Sequence, residues 1–233
     1  ATGCTGLKLM KPAIVLLAAG SGSRFGHATN KVWLPLVDQS VISHTIYNAH
    51  QAFPAAPLLL IINQDDETLA KEILQKELPN IKIDMTYGGA TRHGSEYQAL
   101  MHLEKDISAG DIDVVLIHDG ARPLASPDLY RKIAEVTYEK GGAIPTTAIN
   151  PVEIDTNHNT QIVRVQTPQG FRAKELLQAY KAAQADGFVG TDTGACVEKY
   201  FPEIKAVAVE AEVANLKITF AEDLKVAQAL LTS

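Results

Sequence analysis

A glycine-rich loop with two cations follows the first apolar run of the chain. Residues 13–18 predict a buried strand, and three glycines come soon after it: Gly20, Gly22 and Gly26. Glycine lets the backbone turn sharply and bring its amide N–H groups close to a ligand. Arg24 and Lys31 add positive charge beside that backbone, so the loop could bind a polyphosphate. An ordinary glycine-rich turn with solvated charges is the alternative, and the spacing matches neither the P-loop nor the dinucleotide-binding pattern.

A carboxylate and a guanidinium follow another apolar run. Asp119 comes soon after the buried-strand pattern of residues 114–117. Mg²⁺ prefers one or two carboxylates together with phosphate oxygens, so Asp119 could hold this ion beside a phosphate. A helix cap or an ion pair with Arg122 would equally explain the residue. Arg122 itself could bind an anion through two parallel hydrogen bonds.

Three further polar residues allow both a functional and a structural interpretation. Asp192 could supply a second carboxylate, or it could only cap the helix that follows. Lys217 lies within an alternating segment, where a lysine must face either solvent or a pocket. His118 is better explained as a packed or orienting histidine than as a metal ligand, since no second histidine stands at ligand spacing.

Together these residue types favour phosphoryl or nucleotidyl transfer. The sequence has no Ser–His–Asp spacing, no metal-binding pair of histidines and no redox pair of cysteines. Transfer at phosphorus needs positioning and positive charge around the reacting group, and it does not need a covalent nucleophile. A glycine loop, several cations and one or two carboxylates meet that need.

The bulk composition is that of a globular protein and argues against two classes of partner. Of the 233 residues, 46% are hydrophobic and 21% are charged, and the formal net charge is −6. A protein that coats nucleic acid needs a basic surface, and no apolar run approaches the roughly 20 residues of a membrane span. We therefore expect neither nucleic acid nor membrane as a partner. Two distant cysteines and the absence of a signal-peptide pattern indicate a cytoplasmic protein without a disulfide framework.

Apolar runs alternate with helical periodicity along the chain. Predicted strands cover seven segments: 13–18, 58–62, 81–87, 113–117, 143–148, 205–209 and 216–219. Predicted helices cover another seven: 41–53, 65–78, 95–105, 126–140, 173–186, 191–200 and 221–231. Repeated strand–helix units predict an α/β fold with a doubly wound, mostly parallel, Rossmann-like sheet. We expect residues 1–11 to form a tail, either disordered or added by cloning, and residues 12–233 to form a single domain.

Two polar segments interrupt this alternation. Residues 150–166 have short strand-like pieces at both ends, which predicts a short β-arm projecting from the sheet. Residues 166–171 are expected to form a polar turn. Ligands of open α/β sheets bind outside the carboxyl ends of the strands. The glycine loop, residues 88–92 and residues 118–123 all follow predicted strands and are therefore expected at one site.

The order of these segments resembles that of a known enzyme group. Residues 18–26 with Asn30 and Lys31 resemble the signature of sugar-phosphate nucleotidyltransferases. Within that group the chain is similar to the 2-C-methyl-D-erythritol 4-phosphate cytidylyltransferases, whose close relatives use ribitol phosphate. The similarity is carried by Gly88-Gly89 with Arg92 and Ser95, His118-Asp119-Gly120-Ala121-Arg122-Pro123, Gln166-Thr167-Pro168-Gln169, Thr191-Asp192, Asn215-Leu216-Lys217-Ile218-Thr219 and Glu222-Asp223-Leu224. It runs from Pro12 to Leu231 and implies a GT-A-like nucleotidyltransferase fold.

The resemblance also implies a reaction and a role for each matching residue. The family joins CTP to an alditol phosphate with Mg²⁺, giving a CDP-alditol and pyrophosphate. Nucleotide contacts are implied for Ala18, Ala19, Gly20, Ser21, Gly22, Arg24, Lys31, Gly88, Gly89, Arg92, Ser95, Asp119 and Gly120. Acceptor contacts are implied for Arg122, Arg164, Thr167, Thr191, Asp192 and Lys217. Asp119 is the implied Mg²⁺ ligand, and the implied catalytic cations are Lys31, Lys217 and Arg24.

The largest departure from the family is a short segment before Thr167. Fourteen residues, 153–166, stand where the family has a longer β-arm, whose arginine reaches the acceptor phosphate in the partner subunit. Arg164 is the only arginine in this segment. A homodimer and an acceptor contact from Arg164 are thus expectations that the short arm weakens. Smaller departures are Asn30 in place of proline and Gly120 in place of alanine.

From the resemblance we predict a CTP-dependent cytidylyltransferase acting on 2-C-methyl-D-erythritol 4-phosphate. Its products would be 4-diphosphocytidyl-2-C-methyl-D-erythritol and pyrophosphate, in non-mevalonate isoprenoid precursor biosynthesis. Another acceptor, ribitol 5-phosphate or a phosphonate, is the first alternative. An inactive nucleotide-binding regulatory module is the alternative of another class. The presence of Lys31, Asp119 and Lys217 argues against it.

Overall fold

The computed structural model describes residues 10–20, 30–148 and 163–232. The predictions for Ser21, Gly22, Arg24, the tail 1–9 and arm residues 150–162 lie outside these ranges. The strands are β1 (Pro12–Leu17), β2 (Pro35–Leu36), β3 (Gln39–Ser40), β4 (Leu58–Ile62), β5 (Asp84–Tyr87), β6 (Val114–Asp119), β7 (Gly142–Ala148), β8 (Val163–Val165), β9 (Gln169–Arg172) and β10 (Val207–Glu210). The helices are α1 (Val41–Ala52), α2 (Glu67–Glu77), α3 (Arg92–Ala109), α4 (Pro127–Lys140), α5 (Ala173–Asp186), α6 (Thr193–Tyr200) and α7 (Ala221–Thr232).

One mixed sheet organises the described residues. Its strands follow the order β5–β4–β1–β6–β9–β7–β10, and β8 joins by pairing with β7. Neighbouring strands are parallel, apart from β9 and β8, which run antiparallel to their partners. β2 and β3 form a separate hairpin. The predicted α/β fold with a mostly parallel sheet is confirmed.

The strand order reverses beside β1. The chain passes from β1 through β4 to β5 on one side, and then returns to β6 on the other side of β1. The carboxyl ends of β1 and β6 therefore lie side by side, with Leu17 in register with Asp119. A reversal of this kind opens a crevice above the strand ends, and this crevice is where ligands of such sheets bind.

Helices cover both faces of the sheet because its central strands are apolar on both sides. Ile14 and Leu16 of β1 pack in the layer formed with α1, α2 and α4. Ala13 and Val15 of the same strand pack on the opposite face with α3, α5 and α6. β4 and β6 are buried along their whole length. The strand ends that border the crevice are thus fixed from both faces.

No helix in the described ranges is both long enough and apolar enough to cross a membrane.

Two predicted elements near the crevice are wrong. The expected polar turn at 166–171 contains β9, which lies antiparallel between β6 and β7. Its Gly170 is packed so closely that a Cβ there would lie 2.9 Å from the Leu116 side chain, a tertiary constraint that no periodicity reveals. Residues 216–219 form no strand. Their backbone is held by a hydrogen bond from the Ile218 N–H to the Ala121 carbonyl, 2.8 Å long.

Helix α3 begins three residues earlier than predicted, and this difference matters for the site. The Thr91 side chain accepts a hydrogen bond from the Gly94 N–H at 3.0 Å, which caps the helix before Arg92. The helix then runs for 18 residues and ends at Gly110, whose φ of +78° suits a glycine. Arg92, predicted in the loop before the helix, therefore lies with Ser95 on its first turn, and both residues border the crevice.

Candidate active site

Two adjoining cavities lie above the carboxyl ends of the strands. The larger has a volume of about 560 Å³ and lies between the segments that follow β1, β4 and β5. The smaller has a volume of about 290 Å³ and is bordered by the segments around β8, β9 and the start of α6. Three charged residues line both cavities: Arg92, Asp119 and Lys217. Chemistry that joins two ligands would take place where these residues stand.

Asp119 is the centre of this shared region. It ends the buried strand β6, and its side chain is only 8% exposed. Its carboxylate pairs with the Arg92 guanidinium, lies 2.9 Å from the Lys217 ammonium and lies 3.6 Å from Nε of Arg122. Three cations from three different segments therefore converge on one carboxylate. The excess positive charge suits a site for phosphate groups.

The pKa values of this cluster follow from burial and its charges. Burial favours the neutral form of Asp119, but the cations Arg92, Lys217 and Arg122 hold its carboxyl pKa well below the usual value. Burial also opposes the charge on Arg92, and there the carboxylates of Asp119 and Glu96 raise the pKa. Asp119 is thus ionised and Arg92 is protonated at neutral pH.

A hydrogen-bonded chain behind Asp119 fixes the end of β6. The Asp119 N–H donates to the Thr167 hydroxyl at 3.0 Å, and this hydroxyl lies 2.9 Å from Nδ1 of His118. Nε2 of His118 lies 3.3 Å from the carbonyl of Arg122. Because a carbonyl only accepts, Nε2 carries the proton and Nδ1 accepts from Thr167. His118 is a packed, orienting histidine, as predicted.

Neutral His118 should make the stability of the fold depend on pH. Burial lowers the pKa of His118 to about 3. Between pH 3 and 6.5 the unfolded state therefore binds a proton that the native state excludes, and stability must fall as the pH falls. From pH 7 to pH 5 we expect this residue to cost about 2 kcal/mol of the free energy of unfolding. Urea unfolding at both pH values measures the loss.

The matched variants for this prediction are His118→Gln and His102→Gln. His118→Gln removes the titrating group, so about 2 kcal/mol of the pH-dependent loss should disappear. His102 is exposed on α3, and its variant should retain the full loss. Equal losses in wild type and His118→Gln would contradict the buried neutral imidazole.

The segments around the larger cavity are held tightly against one another. Buried Asn30 donates from its side-chain amide to the Ala18 carbonyl at 2.6 Å, which holds the strand end of β1 to the segment carrying Lys31. Gly88 packs so tightly that a Cβ would lie 2.5 Å from Cβ of Ala19 and 2.6 Å from Oγ of Ser95. Only glycine fits there without displacing its neighbours.

Hydrogen bonds between side chains and backbone carbonyls connect the segments around the smaller cavity. Nη1 of Arg122 donates to the Asn215 carbonyl at 2.7 Å. The Asn215 side chain in turn donates to the Thr167 carbonyl at 3.0 Å. The Gln169 side chain donates to the Asp192 carboxylate at 3.1 Å. Residues 215–217, β9 and the start of α6 are thereby joined around the cavity.

The sequence that builds this site matches the model of a protein family. The family model described as IspD, 2-C-methyl-D-erythritol 4-phosphate cytidylyltransferase, matches residues 13–233. The chain belongs to this family. A protein of that name from Bacillus cytotoxicus is 31% identical over 226 residues, covering 94% of this chain and 96% of the relative. One from Chlorobaculum parvum is 31% identical over 237 residues, covering 95% and 96%.

Solved structures from the IspD family agree with the fold. The 4-diphosphocytidyl-2C-methyl-D-erythritol synthase from Anaerococcus prevotii has a TM-score of 0.78 at 26% identity, covering 96% of this chain and 97% of that one. The 2-C-methyl-D-erythritol 4-phosphate cytidylyltransferase from Thermus thermophilus has a TM-score of 0.70 at 25% identity, covering 94% and 98%. The predicted family and the cytidylyltransferase class are confirmed, and the regulatory-module alternative gains no support.

Most residues predicted from the IspD resemblance lie around the two cavities. The larger cavity is lined by Ala18, Ala19, Gly20, Lys31, Gly89, Arg92, Ser95, Asp119 and Lys217. The smaller cavity is lined by Arg92, Asp119, Arg122, Thr167, Thr191, Asp192 and Lys217. Asp192 also caps α6 by accepting from the Ala195 N–H at 2.8 Å, which confirms the structural interpretation. Its role as a second carboxylate ligand stays a prediction.

Three of the predicted residues that the structure describes line neither cavity: Gly88, which packs against Ala19 and Ser95, Gly120 and Arg164. Arg164 is exposed on β8 and does not line either cavity. Gly120 donates its N–H to the Leu17 carbonyl at 2.9 Å. A Cβ at this position would lie 2.7 Å from Cδ1 of Ile42. The glycine that replaces the usual alanine therefore serves the packing of α1 against β1 and β6.

One residue at the edge of the site was not predicted from the sequence. Glu96 is buried on α3, and its carboxylate accepts from Nε of Arg92 at 3.0 Å. A signal for it exists, because Glu96 falls on the helical face that also carries Leu100, Leu103 and Ile107. An acidic residue within an apolar stripe, four positions after an arginine, predicts a buried ion pair.

The donor set for a divalent cation is limited to Asp119 at the shared region. Within the described residues there is no cluster of three or more metal-ligating histidine, cysteine, aspartate or glutamate side chains. An ionised carboxylate beside cations that attract phosphate does suit Mg²⁺ arriving with a triphosphate, since this ion takes few carboxylates and several phosphate oxygens. The residues thus fit a substrate-borne ion better than one held by the protein alone.

Proposed function

We propose that the protein transfers CMP from CTP to 2-C-methyl-D-erythritol 4-phosphate and releases pyrophosphate. The observation that carries the proposal is the meeting of two cavities at Arg92, Asp119 and Lys217. A two-substrate transfer needs both ligands to meet at one reacting atom. Family membership supplies the identity of the nucleotide and of the acceptor.

The larger cavity is the proposed nucleotide site. The backbone N–H groups of Ala19 and Gly20 would face the triphosphate, with Lys31 neutralising its charge, whereas the Ala18 N–H already donates to the Ile61 carbonyl at 2.8 Å. The resemblance extends these contacts to Ser21, Gly22 and Arg24. Cytosine would lie near Gly88, Gly89 and Ser95. A Cβ on Gly88 would lie 2.6 Å from Oγ of Ser95 and one on Gly89 would lie 2.8 Å from the Gly94 backbone, so both glycines let this segment pack against the start of α3. The smaller cavity would take the acceptor phosphate, beside Arg122, Thr167 and Thr191.

The transfer is an in-line displacement at the α-phosphorus. An oxygen of the acceptor phosphate forms the new P–O bond, and the P–O bond to pyrophosphate breaks, so that the electron pair leaves with pyrophosphate. Negative charge is spread over the crowded phosphorus in the transition state. Lys217 lies between the two cavities and is the residue best placed to stabilise that charge from the acceptor side.

Mg²⁺ is the proposed cofactor, and Asp119 is the proposed protein ligand. When bound, the ion would neutralise part of the triphosphate charge. Asp119 has a second task that belongs to the chain itself. By pairing with Arg92 and Lys217 it holds two cations that would otherwise repel each other at the shared region.

An acceptor panel tests the function. The purified protein is incubated with CTP, Mg²⁺ and one alditol phosphate at a time, and pyrophosphate release is followed. We expect turnover with 2-C-methyl-D-erythritol 4-phosphate to exceed turnover with ribitol 5-phosphate. A preference for ribitol 5-phosphate or a phosphonate would move the protein to the alternative acceptor class. If none of the acceptors gave pyrophosphate release, the enzyme assignment would be overturned.

The nucleotide assignment predicts a strong preference for cytosine. A base held by tightly packed backbone and by a positioned hydroxyl should exclude analogues that leave these groups unpaired. We expect kcat/KM for CTP to exceed that for UTP by at least about 100-fold. Steady-state kinetics with both nucleotides measures the ratio, and equal values would overturn the role of Gly88, Gly89 and Ser95.

We further propose a homodimer in the cytoplasm. The family resemblance supports the homodimer, and the reduced, buried thiol of Cys196 is compatible with a reducing compartment. Any contribution of the arm rests on β8 and on residues 149–162, which lie outside the described ranges. Sedimentation of wild type and of Arg164→Ala would measure the assembly and the contribution of this arginine.

A further inference from the structure

Behind the shared region lies a buried polar network centred on Glu96. Its side chain is 1% exposed, and both carboxylate oxygens accept hydrogen bonds. Oε1 accepts from Nε of Arg92 at 3.0 Å and from the Thr193 hydroxyl at 2.9 Å. Oε2 accepts from the Tyr180 hydroxyl. The donors come from α3, α5 and α6, so three helices meet at one carboxylate.

We propose that Glu96 is a positioning residue for the transfer, holding the Arg92 guanidinium in the orientation in which Arg92 fixes Asp119 and thereby Lys217. The kinetic part of this inference rests on the proposed function. The contacts form one continuous path: Glu96 binds Nε of Arg92, Nη1 of Arg92 binds Asp119, and Asp119 binds Lys217 at 2.9 Å.

The geometry divides the Arg92 guanidinium between two carboxylates. Nε faces the helix interior and Nη1 faces the cavities, so the plane of the group is fixed at two points. An arginine with a planar fork of donors is well suited to such a bridge. With Asp119 alone, the 30% exposed Arg92 side chain could rotate about that single contact.

Stability alone does not explain a carboxylate at this position. Its neighbours along the same helix face are Ala99, Leu100 and Leu103. Replacing a buried ion pair by well-packed apolar side chains is often neutral or stabilising. Burial raises the pKa of Glu96, while the charge of Arg92 and the hydroxyls of Tyr180 and Thr193 oppose this rise. The three donors that point at its two oxygens, from Arg92, Tyr180 and Thr193, are the groups that favour the ionised form.

The network is itself held from behind. The Tyr180 ring stacks on His93 with centroids 4.6 Å apart and planes 17° apart. Nδ1 of His93 accepts from the Gly190 N–H at 3.4 Å. This contact places Tyr180 next to the segment that leads into Thr191, a residue lining the smaller cavity. Glu96 thus connects the acceptor side of the site with Arg92.

The test compares Glu96→Gln with wild type. Glutamine keeps the shape but loses the charge that orients Arg92, so we expect kcat to fall by about 10- to 100-fold, the scale of a misplaced reacting group. KM for CTP should stay within about twofold, because no phosphate-binding cation is removed. A fall in thermal stability with unchanged kcat would overturn the positioning role.

A double-variant cycle shows whether Glu96 acts through Arg92. If it does, adding Glu96→Gln to Arg92→Ala should lower kcat no further. Independent, multiplying losses would overturn the inference. Glu77→Gln is the matched control, because Glu77 accepts from the Ser40 N–H and hydroxyl at 2.8 Å, away from the cavities. It should leave kcat unchanged.

Two measurements separate this inference from the proposed function. The side-chain Nε–H resonance of Arg92, assigned by its loss in Arg92→Ala, should exchange slowly with solvent in wild type and rapidly in Glu96→Gln. Equal exchange in both would overturn the inference even if the wild type transferred no CMP.

Should Glu96→Gln fail to fold, Tyr180→Phe removes one hydrogen bond to Glu96 and keeps the ring. It should lower kcat in the same direction, and an unchanged kcat would count against the network.

Discussion

Lys217→Ala is expected to lower kcat by about 100-fold or more, the scale seen when one transition-state donor is removed. The Lys217 ammonium lies 2.9 Å from Asp119 at the point where the two cavities meet, and its side chain is 41% exposed. It can therefore reach a bound phosphate without leaving the cluster. Steady-state pyrophosphate release with CTP and 2-C-methyl-D-erythritol 4-phosphate measures the loss.

The fold should tolerate the loss of Lys217. Arg92 and Arg122 still compensate the Asp119 carboxylate after the ammonium is removed, so thermal stability should change little. The matched control is Lys205→Ala, a surface lysine whose ion pair with Glu198 is exposed on both sides. It should retain normal kcat. A near-normal rate for Lys217→Ala would remove this residue from the catalytic step.

Asp119→Asn is expected to damage both stability and turnover. The substitution leaves the buried guanidinium of Arg122 and the half-buried one of Arg92 without their shared carboxylate. Breaking a buried ion pair by removing one partner costs roughly 3–5 kcal/mol, and we expect a loss at the lower end because Arg92 keeps Glu96. Turnover should fall by about 100-fold, since two cations lose their common anchor.

Ligand binding sharpens this second prediction. A triphosphate supplies the negative charge that the variant lacks, so CTP without Mg²⁺ should raise the melting temperature of Asp119→Asn more than that of wild type. Asp111→Asn is the control, because its ion pair with Lys11 is exposed and worth less than about 1 kcal/mol. A variant as stable as wild type would mean that the cations do not depend on Asp119.

The two experiments distinguish separate parts of the shared region. Lys217 contributes a partly exposed charge that acts on the ligands, so its loss should be visible in the rate alone. Asp119 organises its neighbours, so its loss should appear in the free energy of unfolding as well as in the rate. Glu96 lies one contact deeper, and its loss should appear in kcat without a change in KM for CTP.

Local sequence was enough for the sheet and most of its helices. β4 is a run of five apolar residues, Leu58–Ile62, and its ends agree with the prediction because a strand covered on both faces needs such a run. α4 begins at Pro127 after the Ser126 cap and is followed by Gly141. These three residues predict the ends of the helix from the local sequence alone. Motif order was likewise enough for the family.

Contacts between distant residues decided what local patterns could not. β9 has no alternation, and it is a strand only because β6 and β7 flank it. The segment 216–219 alternates like a strand but finds no strand beside it. Its role is to deliver Lys217 to Asp119, 98 positions earlier in the chain.

The sequence by itself determined the fold class, the family and most of the residues around the cavities, because apolar periodicity and motif spacing are properties of short segments. Tertiary structure alone decided that Arg92, Arg122 and Lys217 share one carboxylate, and that Glu96 holds Arg92 from behind. Charges interact through space, and the reversal of strand order beside β1 sets which distant charges become neighbours.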